Sequence, residues 1–490
     1  MPCRRALLRC GFESSQSIQP EHQTLPFDTY RPLRALAFAG IASIIAGCQS
    51  YQPRPLDLAA HRDAWLARSP QDDPVQTLAA RMAESQGDIG FEPTDGIGLA
   101  EGEVIALVYN PHLRMARLGA GVARATAAHA GLWDDPEFSV DILRITESVA
   151  NPWVISPGLA LTIPLSGRLE AERAGANAAL RAELMRVEEA EWATRIELRR
   201  AWLRWSAALL RAEQTARLLD SIGSLVDSTS ALADAGEMSR PEAALFAIER
   251  STQARMLARY QGEAAESVQQ IRMIMGLSPD APLNLIAARL DAGLLEHNSV
   301  DAIAERSLSL SRLREEYDAA EQALLAETRK QYPDLTIGPQ YESDQGQSRI
   351  GMLGAIPIPI LNANRQGIAE AEARRELARA AFEVEYERLA GSLAMARARH
   401  ESLHRQRFLL ENEVAPQIDR QYADARRLLE LGEGGGLLLL ESLTRVGQAQ
   451  VELIDARLDE SLDAIEIGAL LGPARAVDHD GFRTTRDLDS

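Results

Sequence analysis

The feature that most constrains this chain is that it is written twice. IPLSGR around Pro164 recurs as IPILNANR around Pro359, and DDPEFSV at Pro136 recurs as YPDLTIG at Pro333. AGEMSRPEA around Gly236 recurs as LGEGGGLLL around Gly432, and IMGLSP at Gly276 recurs as LLGPA at Gly472. The four offsets are 195, 197, 196 and 196 residues. A period near 196 is far too long for a solenoid repeat, so it predicts duplication of a whole structural half.

Both halves have the same grammar. A helical stretch, 111–132 or 311–331, precedes two strand-like runs, 137–146 and 153–164 or 334–343 and 349–358. A long helix then starts at Gly167 or Asn364 and breaks at Gly236 or Gly432, and a second returns to end at Gly276 or Gly472. The strand runs alternate with period two: Phe138, Val140 and Ile142 oppose Ser139 and Asp141, and Leu335, Ile337 and Tyr341 oppose Thr336, Gly338 and Gln340. Each run is close to the roughly ten residues that cross a bilayer as a tilted strand. The competing reading is a pair of small soluble hairpins, which are marginal alone. Pro157 and Pro339 fit an edge or a bulge better than a central soluble strand. Membrane barrels start at about eight strands, so four strands in a membrane have to be pooled between chains. Two chains would give eight and three would give twelve.

Residues 167–222 contain no proline and 13 alanines, with apolar residues at the spacing of a packed helical seam: Leu180, Leu184, Val187, then Trp192, Ile196 and Leu203. Residues 364–415 are also proline-free. Helices of this length run on the order of 75–90 Å. Pro416 is expected to kink or break the second one. Trp192, Trp202 and Trp205 sit at helical spacing and read as packing residues, and Asn110-Pro111 as a helix start.

Residues 31–48 read RPLRALAFAGIASIIAGC: two arginines, an apolar run too short to span a bilayer, then small residues and a cysteine. Ile45-Ala46-Gly47-Cys48 resembles a bacterial lipobox, which makes Cys48 the lipidation site and Gln49 its neighbour; an ordinary signal peptide with a chance cysteine is the alternative. The long stretch upstream suggests a start codon placed too early. No other segment has 18 consecutive apolar residues, so any later crossing of a membrane has to use strands.

Acids outnumber bases 71 to 52, a net charge of −19 that argues against a nucleic-acid surface and is compatible with either a soluble acidic protein or a conduit favouring cations. The cysteines, Cys3, Cys10 and Cys48, offer no disulfide framework or zinc site, and the eight histidines lack ligand spacing. With no phosphate loop and no nucleophile elbow, neither cofactor, metal nor catalysis is expected. The expected organisation is a signal peptide (1–47), a lipidated extended segment (48–97), a first repeat (98–280), a linker (281–298), a second repeat (299–472) and a disordered tail (473–490).

In order and spacing, LAEGEVIALVYNPHL ending at Leu113, IPLSGR, IPILNANR and LGEGGGLLLLESL resemble the TolC-like outer-membrane efflux family, especially its lipidated members, over residues 98–472. The resemblance implies a mainly α fold with a membrane β-barrel: a homotrimer whose four strands per protomer make a twelve-stranded barrel in outer-membrane lipid, above a periplasmic tunnel of long coiled helices. It implies a passive, non-enzymatic exit channel with a periplasmic adaptor and an inner-membrane pump as partners. Family members carry an acidic ring near the closed end, with acids six and nine residues after the tip glycine; those positions here are Leu438 and Glu441, and Glu242 and Leu245 in the first half. Glu441 is thus the gate candidate, with Leu438 in place of a second ring and a solvated helix surface as the plain alternative. Gly236, Glu237, Arg240, Gly432 and Glu433 are candidates for touching the adaptor, or simply surface residues. A type I protein-secretion duct of the same fold, or a coiled-coil adaptor lipoprotein, are the competing functions.

Overall fold

The computed structural model describes residues 51–86, 90–291, 301–431, 433 and 435–473. The expected signal peptide, Cys48, Gly432, linker residues 292–298 and the tail from 474 lie outside the described residues. The chain divides into two units, Met1–His61 and Arg62–Ser490. The described part of the first is a stretch without regular structure that enters helix α1 (Leu58–Leu66).

The second unit holds both halves. The first comprises α2 (Asp73–Gln86), α3 (Leu99–Tyr109), α4 (Pro111–His129), β1 (Glu137–Arg144), β2 (Trp153–Ile163), α5 (Arg168–Asp234) and α6 (Arg240–Ile274). The second comprises α7 (Asp301–Arg306), α8 (Leu308–Arg329), β3 (Leu335–Asp344), β4 (Gln347–Ala355), α9 (Arg365–Leu409), a π turn (Leu410–Val414), α10 (Ala415–Glu430) and α11 (Gly436–Leu471). The segment expected to be extended is therefore helical at α1 and α2, and α2 buries Val75 completely in the core. Residues 281–291 of the expected linker pack on the first half: Ile97 N–H donates to Asn284 O at 2.7 Å, and Trp202 Nε1 to Ile286 O at 2.9 Å.

Local chemistry starts the elements where the sequence punctuates them. Asn110 Oδ1 accepts from Leu113 N–H at 3.0 Å, satisfying one donor that the first turn of α4 leaves open, and Pro111 follows, where no donor is needed. The second half uses Ser307, whose Oγ accepts from Leu310 N–H at 3.3 Å. Each return helix ends on a glycine with left-handed backbone pressed against that junction. A Cβ on Gly276 would stand 2.1 Å from Tyr109 O, and one on Gly472 2.3 Å from Arg306 O. No side chain fits either place.

α5 runs unbroken for 67 residues, on the order of 100 Å. Its counterpart does not. Pro416 lacks an N–H and its ring crowds the carbonyl four residues back. The chain neither breaks nor ends there; it widens into the π turn immediately before α10, which absorbs the proline.

The four strands form one antiparallel sheet in the order β1-β2-β3-β4. Pro157 and Pro339 thus lie in the two central strands, not at an edge. Each is paired on its outer side, Pro157 opposite Val140 and Pro339 opposite Met352. Neither has a partner in the β2–β3 ladder, which registers at Ile155–Ser343, Gly158–Gln340 and from Leu161–Ile337 to Ile163–Leu335. The missing proline N–H groups fall where that ladder is already interrupted. There the strands approach so closely that a Cβ on Gly338 would lie 1.6 Å from Leu159 O. The β3–β4 hairpin closes in two residues, Gln345 and Gly346, both at positive φ, whereas residues 145–152 connect β1 to β2.

The ladders also fix how the halves correspond. Glu137 pairs with Ala160 in one hairpin and Thr336 with Ala355 in the other, so β1 maps onto β3 and β2 onto β4 at a constant offset of 197, as Gly167 maps onto Asn364 at the helix start. Pro164 and Pro359, 195 residues apart in the sequence repeat, are not equivalent in space.

Candidate functional site

The sheet has one apolar face and one polar face. Strand alternation and register put Phe138, Val140 and Ile142 of β1 beside Ile155, Pro157 and Leu159 of β2, then Ile337 and Tyr341 of β3, then Ile350 and Met352 of β4. The opposite face carries Ser139, Asp141, Ser156, Thr162, Thr336, Gln340, Glu342 and Arg349. On it Thr162 and Thr336 hydroxyls meet at 3.0 Å and Arg349 reaches Glu342 at 2.9 Å. Among the described residues nothing covers the apolar face: every residue of β1 and β4 is exposed, with Phe138 at 69 %, Ile350 at 87 % and Met352 at 76 %. Among the described residues, both outer strands also leave a row of backbone donors and acceptors without a strand partner.

The helices beneath repeat this order. α4 packs on α5, α5 on α8, and α8 on α9, leaving α4 and α9 as open ends. Each open end carries exposed apolar residues at helical spacing, Met115, Leu118 and Val122 on α4 and Leu377 and Val384 on α9. Where strand meets helix, Arg168 joins the halves, with Nε 3.2 Å from Asp334 and its other nitrogens 3.1 Å from Asp134 and 3.2 Å from Glu172.

At the far ends of the long helices, Gly236 (φ 80°) closes the first turn: Glu237 N–H donates to Leu232 O at 2.9 Å and Gly236 N–H to Ala233 O at 3.2 Å. Glu433 N–H, 196 residues after Glu237, repeats the first of these bonds by donating to Leu428 O at 3.0 Å. Glu237, Arg240 and Glu433 are all exposed. Leu438 and Glu441, three residues apart on α11, share its open face while Leu439, Leu440 and Ser442 are buried. Glu441 is paired with Arg445 at 2.7 Å.

One cluster was not read from the sequence. Glu460 and Asp463 of α11 are buried against α9, with side chains 4 % and 2 % exposed. Glu460 is bound by Arg407 and, at 2.7 Å, by His404; Asp463 is bound by Arg399, with His400 Nδ1 3.6 Å away. Burial alone would raise the Glu460 pKa; the hydrogen bonds from Arg407 and His404 outweigh it and hold it below the ordinary value. Glu411, in the π turn, is lowered chiefly by Arg457 at 2.6 Å and also by Arg407. The signal was available as two acids three residues apart on the otherwise packed face bearing Leu458, Ser461 and Ile467.

Trp202 and Trp205 are buried in a T-shaped pair with ring centroids 5.9 Å apart, as packing residues. Among the described residues no group of His, Cys, Asp or Glu could hold a metal, and no helix is long and apolar enough to cross a membrane.

No family model and no curated protein sequence matches the chain. Solved structures do. The outer-membrane channel OprN is 17 % identical with a TM-score of 0.67, covering 87 % of this chain and 98 % of its own. The outer membrane protein VceC from Vibrio cholerae is 18 % identical at 0.64, covering 76 % and 96 %. The open-state MtrE outer membrane channel of Neisseria gonorrhoeae is 16 % identical at 0.65, covering 76 % and 89 %. The chain thus shares the fold of these outer-membrane channel structures.

Proposed function

We propose that this chain is the outer-membrane channel of a tripartite efflux system, acting as a homotrimer and as a passive duct. The observation that carries the reading is the four-stranded sheet with both edges open and one continuous apolar face uncovered. Such a sheet is unstable in water as a single layer, and in lipid its edges have to be closed. Three copies give twelve strands, with the apolar face to lipid and the polar face to the lumen. The matching order of the helices, ending in open apolar stripes on α4 and α9, continues the same ring below the membrane as a tunnel. In this reading the far tips point into the periplasm, and the candidates Gly236, Glu237, Arg240, Gly432 and Glu433 meet an adaptor joined to an inner-membrane pump. Cys48 is the lipid anchor in this reading, and Glu441 the gate residue. The chain supplies no chemistry; the pump supplies the energy.

A protein-secretion duct would use the same geometry, and the chain carries no feature that favours it. A coiled-coil adaptor is disfavoured by the open-edged sheet. The test is outer-membrane fractionation with chemical crosslinking, followed by conductance of the purified protein in planar bilayers. Crosslinked trimers with discrete conductance steps are expected, and a soluble monomer would reject the reading.

A further inference from the structure

The two halves differ in how the long helix meets its return helix. In the first, α5 meets α6 through an apolar cluster that includes Leu198, Ala201 and Trp205 with Ala264 and Ile271. Neither helix contains a histidine, and the ion pair between them, Arg211 with Glu263 at 3.7 Å, involves no group that titrates near neutrality. In the second half, α9 meets α11 through a similar cluster, Leu389, Leu393 and Ala396 with Ile467 and Leu471. About one turn further along α9, the seam closes instead on the buried acids Glu460 and Asp463. His400 and His404 stand there, the only histidines in α5, α6, α9, α10 or α11. The π turn follows directly, where the backbone already departs from the α-helical ladder.

Arginines already balance these acids. Arg407 binds Glu460 and Glu411, Arg457 binds Glu411, and Arg399 binds Asp463. Three guanidiniums thus meet three carboxylates before either imidazole is counted. The pairing is incomplete at one point. Asp463 Oδ2 and His400 Nδ1 are both shut off from solvent, and among the described residues neither has a hydrogen-bond partner, yet they face each other at 3.6 Å. A buried oxygen without a donor costs free energy. A proton on His400 Nδ1 supplies that donor, whereas a bare nitrogen sets lone pair against lone pair. His404 Nδ1 lies 2.7 Å from Glu460 Oε1. We propose that His400 and His404 make this seam a proton-operated clamp: charged, they bind Asp463 and Glu460 and hold α9 to α11, and neutral, they let the two helices part more readily.

Histidine is the side chain that changes charge between about pH 5 and 8. A charge gained beside two almost wholly buried carboxylates is little screened by water. The closed seam therefore binds protons more tightly than the parted one, and it gains stability as the pH falls through that window and loses it as the pH rises. Glu460, whose folded value lies below 4.5, sets the acid limit. The other charged groups around the two imidazoles are carboxylates and guanidiniums. α9 itself adds Arg397 and the pair Glu401–Arg405 at 2.9 Å, and the π turn adds Glu413. α7 contributes Asp301, Glu305 and Arg306, the last donating to the carbonyls of Gly472 and Pro473. From α5, Arg200 and Arg211 hold Glu466 and Asp455 of α11, beside Asp459, which burial and Asp455 raise. The clamp belongs to a seam within one chain and stands apart from the proposed function; in the proposed channel it would stiffen the tunnel wall in a mildly acid periplasm.

The test is hydrogen exchange, read by mass spectrometry on the full-length protein in detergent at about pH 5.5 and about pH 8. Each rate is divided by the intrinsic chemical rate at that pH. In the wild type, the amides of α11 around Glu460 and Asp463 should open roughly three- to tenfold less often at the lower pH. Those of α6 around Ala264, in the seam without histidines, should show no such change. The double variant His400→Gln with His404→Gln should make α11 as indifferent to pH as α6. Asp463→Asn keeps both imidazoles but removes one anion, and it should shrink the response. A wild type in which both seams respond alike would overturn the clamp, and that comparison requires no variant to fold. A double variant that keeps the full response of the wild type would overturn it equally, because the protons would then be bound elsewhere.

Discussion

Arg168 Nε lies 3.2 Å from Asp334 Oδ2, so the first residue of the longest helix is fastened to the residue that introduces the second half's first strand. Their side chains are 19 % and 22 % exposed, less screened than a surface pair. A double-mutant cycle of Arg168→Ala and Asp334→Ala should give a coupling of about 1 kcal/mol. Denaturant midpoints of the four proteins measure it, and additive effects would show that the contact does not tie the halves.

Gly276→Ala should be among the most costly single-methyl additions in the chain, because the new Cβ meets the Tyr109 carbonyl and the backbone is left-handed. A loss of about 3 kcal/mol is expected. Gly262→Ala, in the middle of α6 with nothing within 4 Å, should instead stabilise by about 0.5–1 kcal/mol. Paired thermal unfolding curves in detergent separate the two.

The α9–α11 seam should weaken in acid. Glu460 and Glu411 both titrate below the ordinary glutamate value of 4.5 when folded. Their contribution is therefore full above pH 4.5 and is lost as the pH falls through the lowered folded values. The melting temperature of the wild type should fall below pH 4.5 more steeply than that of Glu460→Gln, which starts lower but lacks one of the titrating groups. Parallel profiles would remove Glu460 from the account.

Glu441 is held by Arg445, so in the proposed gate role the charge it would offer a passing ion is partly cancelled. In planar bilayers Arg445→Ala should raise the cation-to-anion permeability ratio and Glu441→Gln should lower it, each by about two- to threefold. Reversal potentials in a salt gradient give the ratio. No change in either variant would assign Glu441 to the solvated helix surface.

The parts of the fold that could be read from the sequence are those with local causes. Asn110-Pro111, Gly236, Gly276 and Gly472 mark helix ends because caps and left-handed turns need those residue types, and the strands declared themselves by period-two alternation. The rest depends on neighbours. Pro157 and Pro339 read locally as edge or bulge positions, because nothing local reveals that two central strands meet in a ladder interrupted beside Gly338. Pro416 foretold a disturbance, but a π turn has no residue signature. Glu460 and Asp463 are unremarkable acids until α9 lays Arg407, His404 and Arg399 over them. Gly236 turns the chain where the glycine pattern put the break.

The difference between the two hairpin ends has a practical result for the proposed barrel. Both turns lie opposite the helices, which in that proposed barrel is the side facing the cell exterior. Gln345 and Gly346 close one hairpin with no residue to spare, so residues 145–152 supply nearly all the mass standing above the strands. An antibody or phage seeking a grip on intact cells would find that single eight-residue loop, repeated around a low rim.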